Sequence, residues 1–178
     1  MTDTEVNASR PDAAQTEEAR IGYQVAVDLW TYEGEQNWAR FNVMLVANSI
    51  FIAVLGLAVT GQTRSPSISI VLSIVGLILC IAWFIITKRG FDYQTYYVLS
   101  ARELEERFLS DMVKTVSRGG TFADGRPISI QIDGKPKTLR MSWWSRLARA
   151  GSISLTVVLV FAIMYVLAVL QAIIEMVP

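Results

Sequence analysis

Acid–base, nucleophilic or metal chemistry needs particular side chains within reach of one another, and few are present. Histidine, the commonest metal ligand and general base near neutral pH, is absent from all 178 residues. The single cysteine, Cys80, lies in an apolar run, so one chain forms neither a disulfide framework nor a thiolate zinc cluster. Asp28, Glu33 and Glu35 are near enough in sequence to hold a cation. Arg40 follows them, and exposed carboxylates beside a guanidinium are more often solvated or paired. The glycine-rich "RGGTFADG" lacks the lysine and the strand-then-helix setting of a phosphate loop. Neither a Ser–His pair, an intramembrane Asp pair nor a ligand set for membrane proteolysis is available. The expectation is a non-enzyme, with no catalytic, cofactor-binding or metal residues and no cofactor.

The remaining polar side chains of interest sit inside apolar segments. In the first, Asn42, Val46, Ser49, Ala53, Gly56 and Thr60 follow alternating steps of four and three. In the second, Ser69, Ser73, Gly76, Cys80, Trp83 and Thr87 repeat that spacing. Lipid gives two helices no hydrophobic reason to meet, so close backbone approach through small residues supplies the contact. Asn42, Asn48, Ser49, Ala53, Gly56, Ser69, Ser73 and Gly76 are therefore candidates for helix packing or for lining a polar path. The two seams are expected to face one another or neighbouring subunits. Asn48, just off the first seam, is expected to bond across to another helix. A ring of asparagines in an oligomer would be wettable without charge. Asp, Glu, Lys and Arg are missing from the interior of these segments, which argues against a proton relay or ion-coupled transport.

The elements that must position these residues follow from length. The runs 41–60, 68–87 and 150–174 are free of Asp, Glu, Lys and Arg. At about 1.5 Å per residue each crosses a hydrocarbon layer about 30 Å thick. Composition agrees: 52% of residues are hydrophobic and 18% charged, against about 25% charged in soluble domains, and mean hydropathy is +0.39. The connection 61–67 carries only Arg64, whereas 88–149 holds most of the Lys and Arg. By the positive-inside rule the N-terminus and 88–149 are cytoplasmic, and the C-terminal residues 175–178 are external. Trp38, Trp143 and Trp144, each close to arginine, are read as interfacial anchors.

Outside the spans, residues 1–15 read as a disordered polar tail and 16–40 as a cytoplasmic helix capped by Thr16, with Glu17 and Glu18 in its first turn. Its stripe Ile21, Val25, Leu29 and Trp30 is expected to pack on a second stripe, Tyr97, Ala101, Leu104, Phe108 and Met112. That second helix should stop at Gly119–Gly120. In "RPISIQIDGKPKTLRM", residues 126–141, isoleucines alternate with polar residues ahead of Asp133–Gly134, the pattern of a β-hairpin. The expected fold is an all-α membrane protein with three transmembrane helices, long cytoplasmic helical extensions and one small β-hairpin. The basic 88–149 segment has anionic lipid as its nearer partner, and nucleic acid is not expected.

The order of a cytoplasmic helix, a two-span hairpin ("WARFNVMLVANSI…SISIVLSIVGLILCIAWFIITKR") and a helix rich in aromatics, Arg and Glu ("YQTYYVLSARELEERFL") resembles SLATT-type and related small bacterial transmembrane effectors of nucleotide-signalling defence systems. The resemblance covers about residues 20–115 and implies homo-oligomers that permeabilise the prokaryotic inner membrane. The third span and the hairpin lie outside that pattern, and no family residue carries over. Two functions are therefore expected: an oligomeric inner-membrane protein of effector or channel type whose cytoplasmic helices serve assembly or sensing, or a non-conducting scaffold that binds a cytoplasmic protein.

Overall fold

The computed structural model describes residues 13–60, 65–109, 113–147 and 150–176. Its elements are α1 (Ala13–Thr60), α2 (Pro66–Arg107), α3 (Thr115–Ala123), β1 (Ile128–Ile132), β2 (Lys135–Leu139), α4 (Trp143–Leu147) and α5 (Ala150–Met176). Of these, α1, α2 and α5 are long and apolar enough to cross a membrane. The expected class holds: three spans, helical extensions and one hairpin make up this membrane protein. Two compact units form, one from Met1–Thr31 with Thr95–Arg146, the other from Tyr32–Gln94 with Leu147–Pro178.

In the second unit the three spans pack around Leu55, Cys80, Trp83, Val158 and Tyr165. Helix α2 opens on Pro66, whose missing N–H is no loss at a first helical position, and the Ser65 carbonyl accepts the Ser69 amide at 3.1 Å. An aromatic layer joins all three helices. Trp83 lies 5.5 Å from Phe41 and 6.0 Å from Phe161, centroid to centroid.

In the first unit, α1 begins at Ala13 with no acidic residue in its first turn. The chain is thus already helical ahead of the expected Thr16 cap, and the rest of the expected tail lies outside the described residues. The expected stop at Gly119–Gly120 is corrected. Helix α2 ends at Arg107, and both glycines lie inside α3. Gly120 is there for room: a Cβ on it would meet the Arg102 guanidinium at 2.3 Å. The hairpin pairs Ile128 with Leu139, Ile130 with Lys137 and Ile132 with Lys135. Asp133 and Gly134 both have positive φ, 52° and 72°, as a two-residue turn matched to strand twist requires.

The two extramembrane stripes do not cover each other. Helix α1 turns Ala19 and Ala26 inward, with Tyr23 bonded to Glu105. A Cβ on Gly22 would lie 3.3 Å from Leu104. Small residues bring the backbones close and the Tyr23–Glu105 bond selects the facing side. Ile21, Val25 and Leu29 consequently stay 51%, 51% and 38% exposed. Met112 lies outside the described residues.

Candidate functional site

The seams of α1 and α2 share a spacing and meet different fates. On α2, Ser69, Ser73, Gly76, Cys80, Trp83 and Thr87 are all buried within the three-helix unit. On α1, Asn42, Val46, Ser49, Ala53, Gly56 and Thr60 are all exposed. They do not face one another. Ser49 and Thr60 return their hydroxyls to the carbonyls of Leu45 and Gly56, at 2.7 and 2.8 Å, and among the described residues nothing lies within 4 Å of a Cβ built on Gly56.

Asn48 falls on the inner side of α1 and is fully buried. Its Nδ2 donates to the Met44 carbonyl at 2.9 Å. Its Oδ1 accepts the Tyr165 hydroxyl from α5 at 3.2 Å, with the Cys80 thiol of α2 at 3.6 Å. One amide therefore ties all three spans together. Such a bond contributes modestly in lipid, because unfolded segments also find partners there. Asn48→Leu should lower the melting point of the purified protein through a loss of about 1–2 kcal/mol, as the Tyr165 hydroxyl loses its side-chain acceptor and keeps only the backbone carbonyl of residue 48, at 3.4 Å. An unchanged thermal melt in detergent would contradict this.

Tyr165 is kept in place from the other side by Gly76, where a Cβ would sit 2.2 Å from the tyrosine ring. Nearer one end of the bundle, Gly34, Asn37, Trp38, Thr87, Phe91, Gln94, Ala150 and Ser154 line a small cavity of about 60 Å³. Among the described residues, neither polar atom of the buried Asn37 amide has a hydrogen-bond partner there. The volume suits about two water molecules.

The first unit has a polar centre of its own. Glu105 is fully buried and reaches the N-terminus of α3, whose N-cap residue Lys114 makes no side-chain cap. Its Oε1 accepts the Val116 amide at 2.8 Å and the Tyr23 hydroxyl at 2.9 Å. Its Oε2 accepts the Ser117 amide at 2.7 Å. Burial alone would raise this carboxyl, but the two amides and the Tyr23 hydroxyl outweigh it and hold it below its ordinary value. The nearby Ser117 side chain adds to this lowering. Tyr23 is pushed up to about 12, first by burial and then by Glu105.

Trp38, Trp143 and Trp144 are all exposed, at 53%, 52% and 66%, and the last two stack with centroids 3.8 Å apart. Among the described residues, no three of His, Cys, Asp and Glu are grouped to hold a metal. Sequence reasoning missed Tyr165, although it is the sole aromatic with a hydroxyl in the last span. It also missed Glu105, whose setting in "ELEER" looks like any solvated helix face.

A family model described as the octameric membrane protein family (8xMP) matches residues 22–174. Comparison with curated proteins and with solved structures gives no match.

Proposed function

The chain belongs to the octameric membrane protein family, and from that premise we propose that it assembles as an octamer in the prokaryotic inner membrane and acts there as an effector or channel. The observation that carries the assembly reading is the outward side of α1. Along the span a seam of small and polar residues, Asn42, Ser49, Ala53, Gly56 and Thr60, is exposed beside the large apolar Val43, Val46, Ile50, Val54 and Leu57, and the small groups leave room for a close helix. Outside the span α1 presents Ile21, Val25 and Leu29, where a helix facing water would carry polar side chains. Each stretch, taken by itself, offers a contact for a neighbouring copy. Small residues admit a close helix in the membrane, and apolar side chains bury against protein outside it.

Asn48 is bonded within one chain, so a conducting path would run between subunits. With 88–149 on the cytoplasmic side, the extramembrane helices serve assembly or sensing. The alternative is a non-conducting scaffold that binds a cytoplasmic protein, and it draws support from that same internal bonding of Asn48, which keeps the Asn48 amide out of any ring between subunits. Ala53→Leu should shift the native mass in detergent from about eight times the 19.8 kDa chain toward small species while leaving the protomer folded. Mass unchanged by Ala53→Leu would remove the α1 side from the contact. Collapse of membrane potential on induced expression supports the channel; an intact potential with a co-extracted cytoplasmic partner supports the scaffold.

A further inference from the structure

We propose that the β1–β2 hairpin and α4 together form a docking surface for the anionic headgroups of the bilayer the protein spans. The register places Ile128, Ile130 and Ile132 opposite Leu139, Lys137 and Lys135. Directly opposed residues project to the same side of a ribbon, so one face carries four aliphatic side chains and two lysines. Every residue of β2 is exposed, Ile132 and Leu139 by 48% and 37%. Neither Lys135 nor Lys137 makes an ion pair among the described residues. A two-stranded ribbon is marginal alone in water. Ile128 and Ile130 are half-buried on the strand that touches α3, and the open part of the face, Ile132, Leu139 and the two lysines, needs a cover that accepts hydrocarbon and positive charge together.

Helix α4 has the same needs. It buries no residue, and its stacked indoles Trp143 and Trp144 are among the most exposed aromatics of the chain. Indole rings favour the headgroup layer, where one end is apolar and the other wet. Both parts are fastened to one buried turn. The Arg140 Nε donates to the Gly125 carbonyl at 3.0 Å, and the Arg146 side chain lies where a Gly125 Cβ would meet it at 2.6 Å. Gly125 has φ +77°, so glycine suits both the backbone and the close approach.

Two facts single out lipid over protein as the occupant. Residues 126–146 carry five basic side chains against the single Asp133, complementary to an anionic leaflet that attracts juxtamembrane Lys and Arg. The spanning helix α5 starts at Ala150, only a few residues past the indoles, which keeps Trp144 within about 20 Å of the span along the chain. The inference rests on the spans and is independent of the octamer.

The test uses the full chain in nanodiscs of phosphatidylcholine, with or without added phosphatidylglycerol, and reads backbone amide exchange across 128–147. With phosphatidylglycerol present, exchange in this stretch should slow by an order of magnitude or more. High salt should reverse the slowing, and Lys135→Glu/Lys137→Glu should abolish it while leaving the melting point of the spans unchanged. Equal exchange in both lipids would overturn the proposal. If slow throughout, a protein surface covers the hairpin; if fast throughout, nothing does.

Discussion

Glu105→Gln should loosen α3 by about 3 kcal/mol, because the glutamine can satisfy only part of what the carboxylate satisfies. Three donors converge on the two oxygens: the Tyr23 hydroxyl and the amides of Val116 and Ser117. Those amides belong to the first turn of α3, whose orphan N–H groups normally find a local cap. Here the cap comes from α2, eleven residues upstream of Val116. An amide in its place keeps one acceptor and turns an NH₂ group toward a donor, in a site with no exposure to water. Hydrogen bonds to a charged group contribute about 1.5–3 kcal/mol each, and an unsatisfied buried donor costs about 1–3. Backbone amide protection over 115–123 reads the effect directly, and unchanged protection would refute it. Acid should mimic the substitution. The folded carboxyl lies below its ordinary value of 4.5, so its contribution is complete above that value and disappears as pH falls through the lowered one. In Glu105→Gln the protection factors of α3 should lose this acid dependence.

How much of this was legible in the residues depends on which physical signal each feature leaves. The spans were, since a charge-free run of that length fits a bilayer and little else. So was the hairpin: Ile128, Ile130 and Ile132 alternate, and Asp133–Gly134 offers the positive φ the turn demands. The inner and outer sides of α1 were only half legible. Spacing identifies a seam but not what it faces, and the seams of α1 and α2 read alike. Burial separates them, because the aromatic layer of Phe41, Trp83 and Phe161 rotates α2 so that its small residues point inward. The same limit applies to the stripe Ile21, Val25 and Leu29. Apolar periodicity predicts that a face needs a cover, and the intrachain cover was taken instead by Ala19, Gly22 and Ala26, which allow the closer approach. Glu105 left no signal. A buried glutamate and a solvated one differ only in their neighbours in space, and Val116 and Ser117 reach it through a break in the helix that the sequence does not announce.

Gly76→Ala should destabilise the span bundle by about 2–3 kcal/mol, the reverse of what helix propensity alone would give. In a helix interior alanine is favoured over glycine by about 1 kcal/mol. Gly56→Ala meets that expectation, since open space surrounds its Cβ position, and it should leave protomer stability unchanged or raised. At Gly76 the added carbon would fall 2.2 Å from Tyr165 Cε1 and 2.3 Å from Cζ. The ring is fully buried and cannot swing aside without giving up its hydroxyl bond to Asn48 Oδ1. Either α2 and α5 separate, and the packing around Trp83 and Val158 loosens, or the ring moves and the tie between the spans breaks. Thermal melting in detergent measures the loss, and the double variant decides its cause. If Gly76 exists to admit the ring, Gly76→Ala should cost far less in a Tyr165→Ala background than alone, a coupling on the order of 1–3 kcal/mol as expected for residues in direct contact. Additive losses would mean that the glycine serves something other than Tyr165.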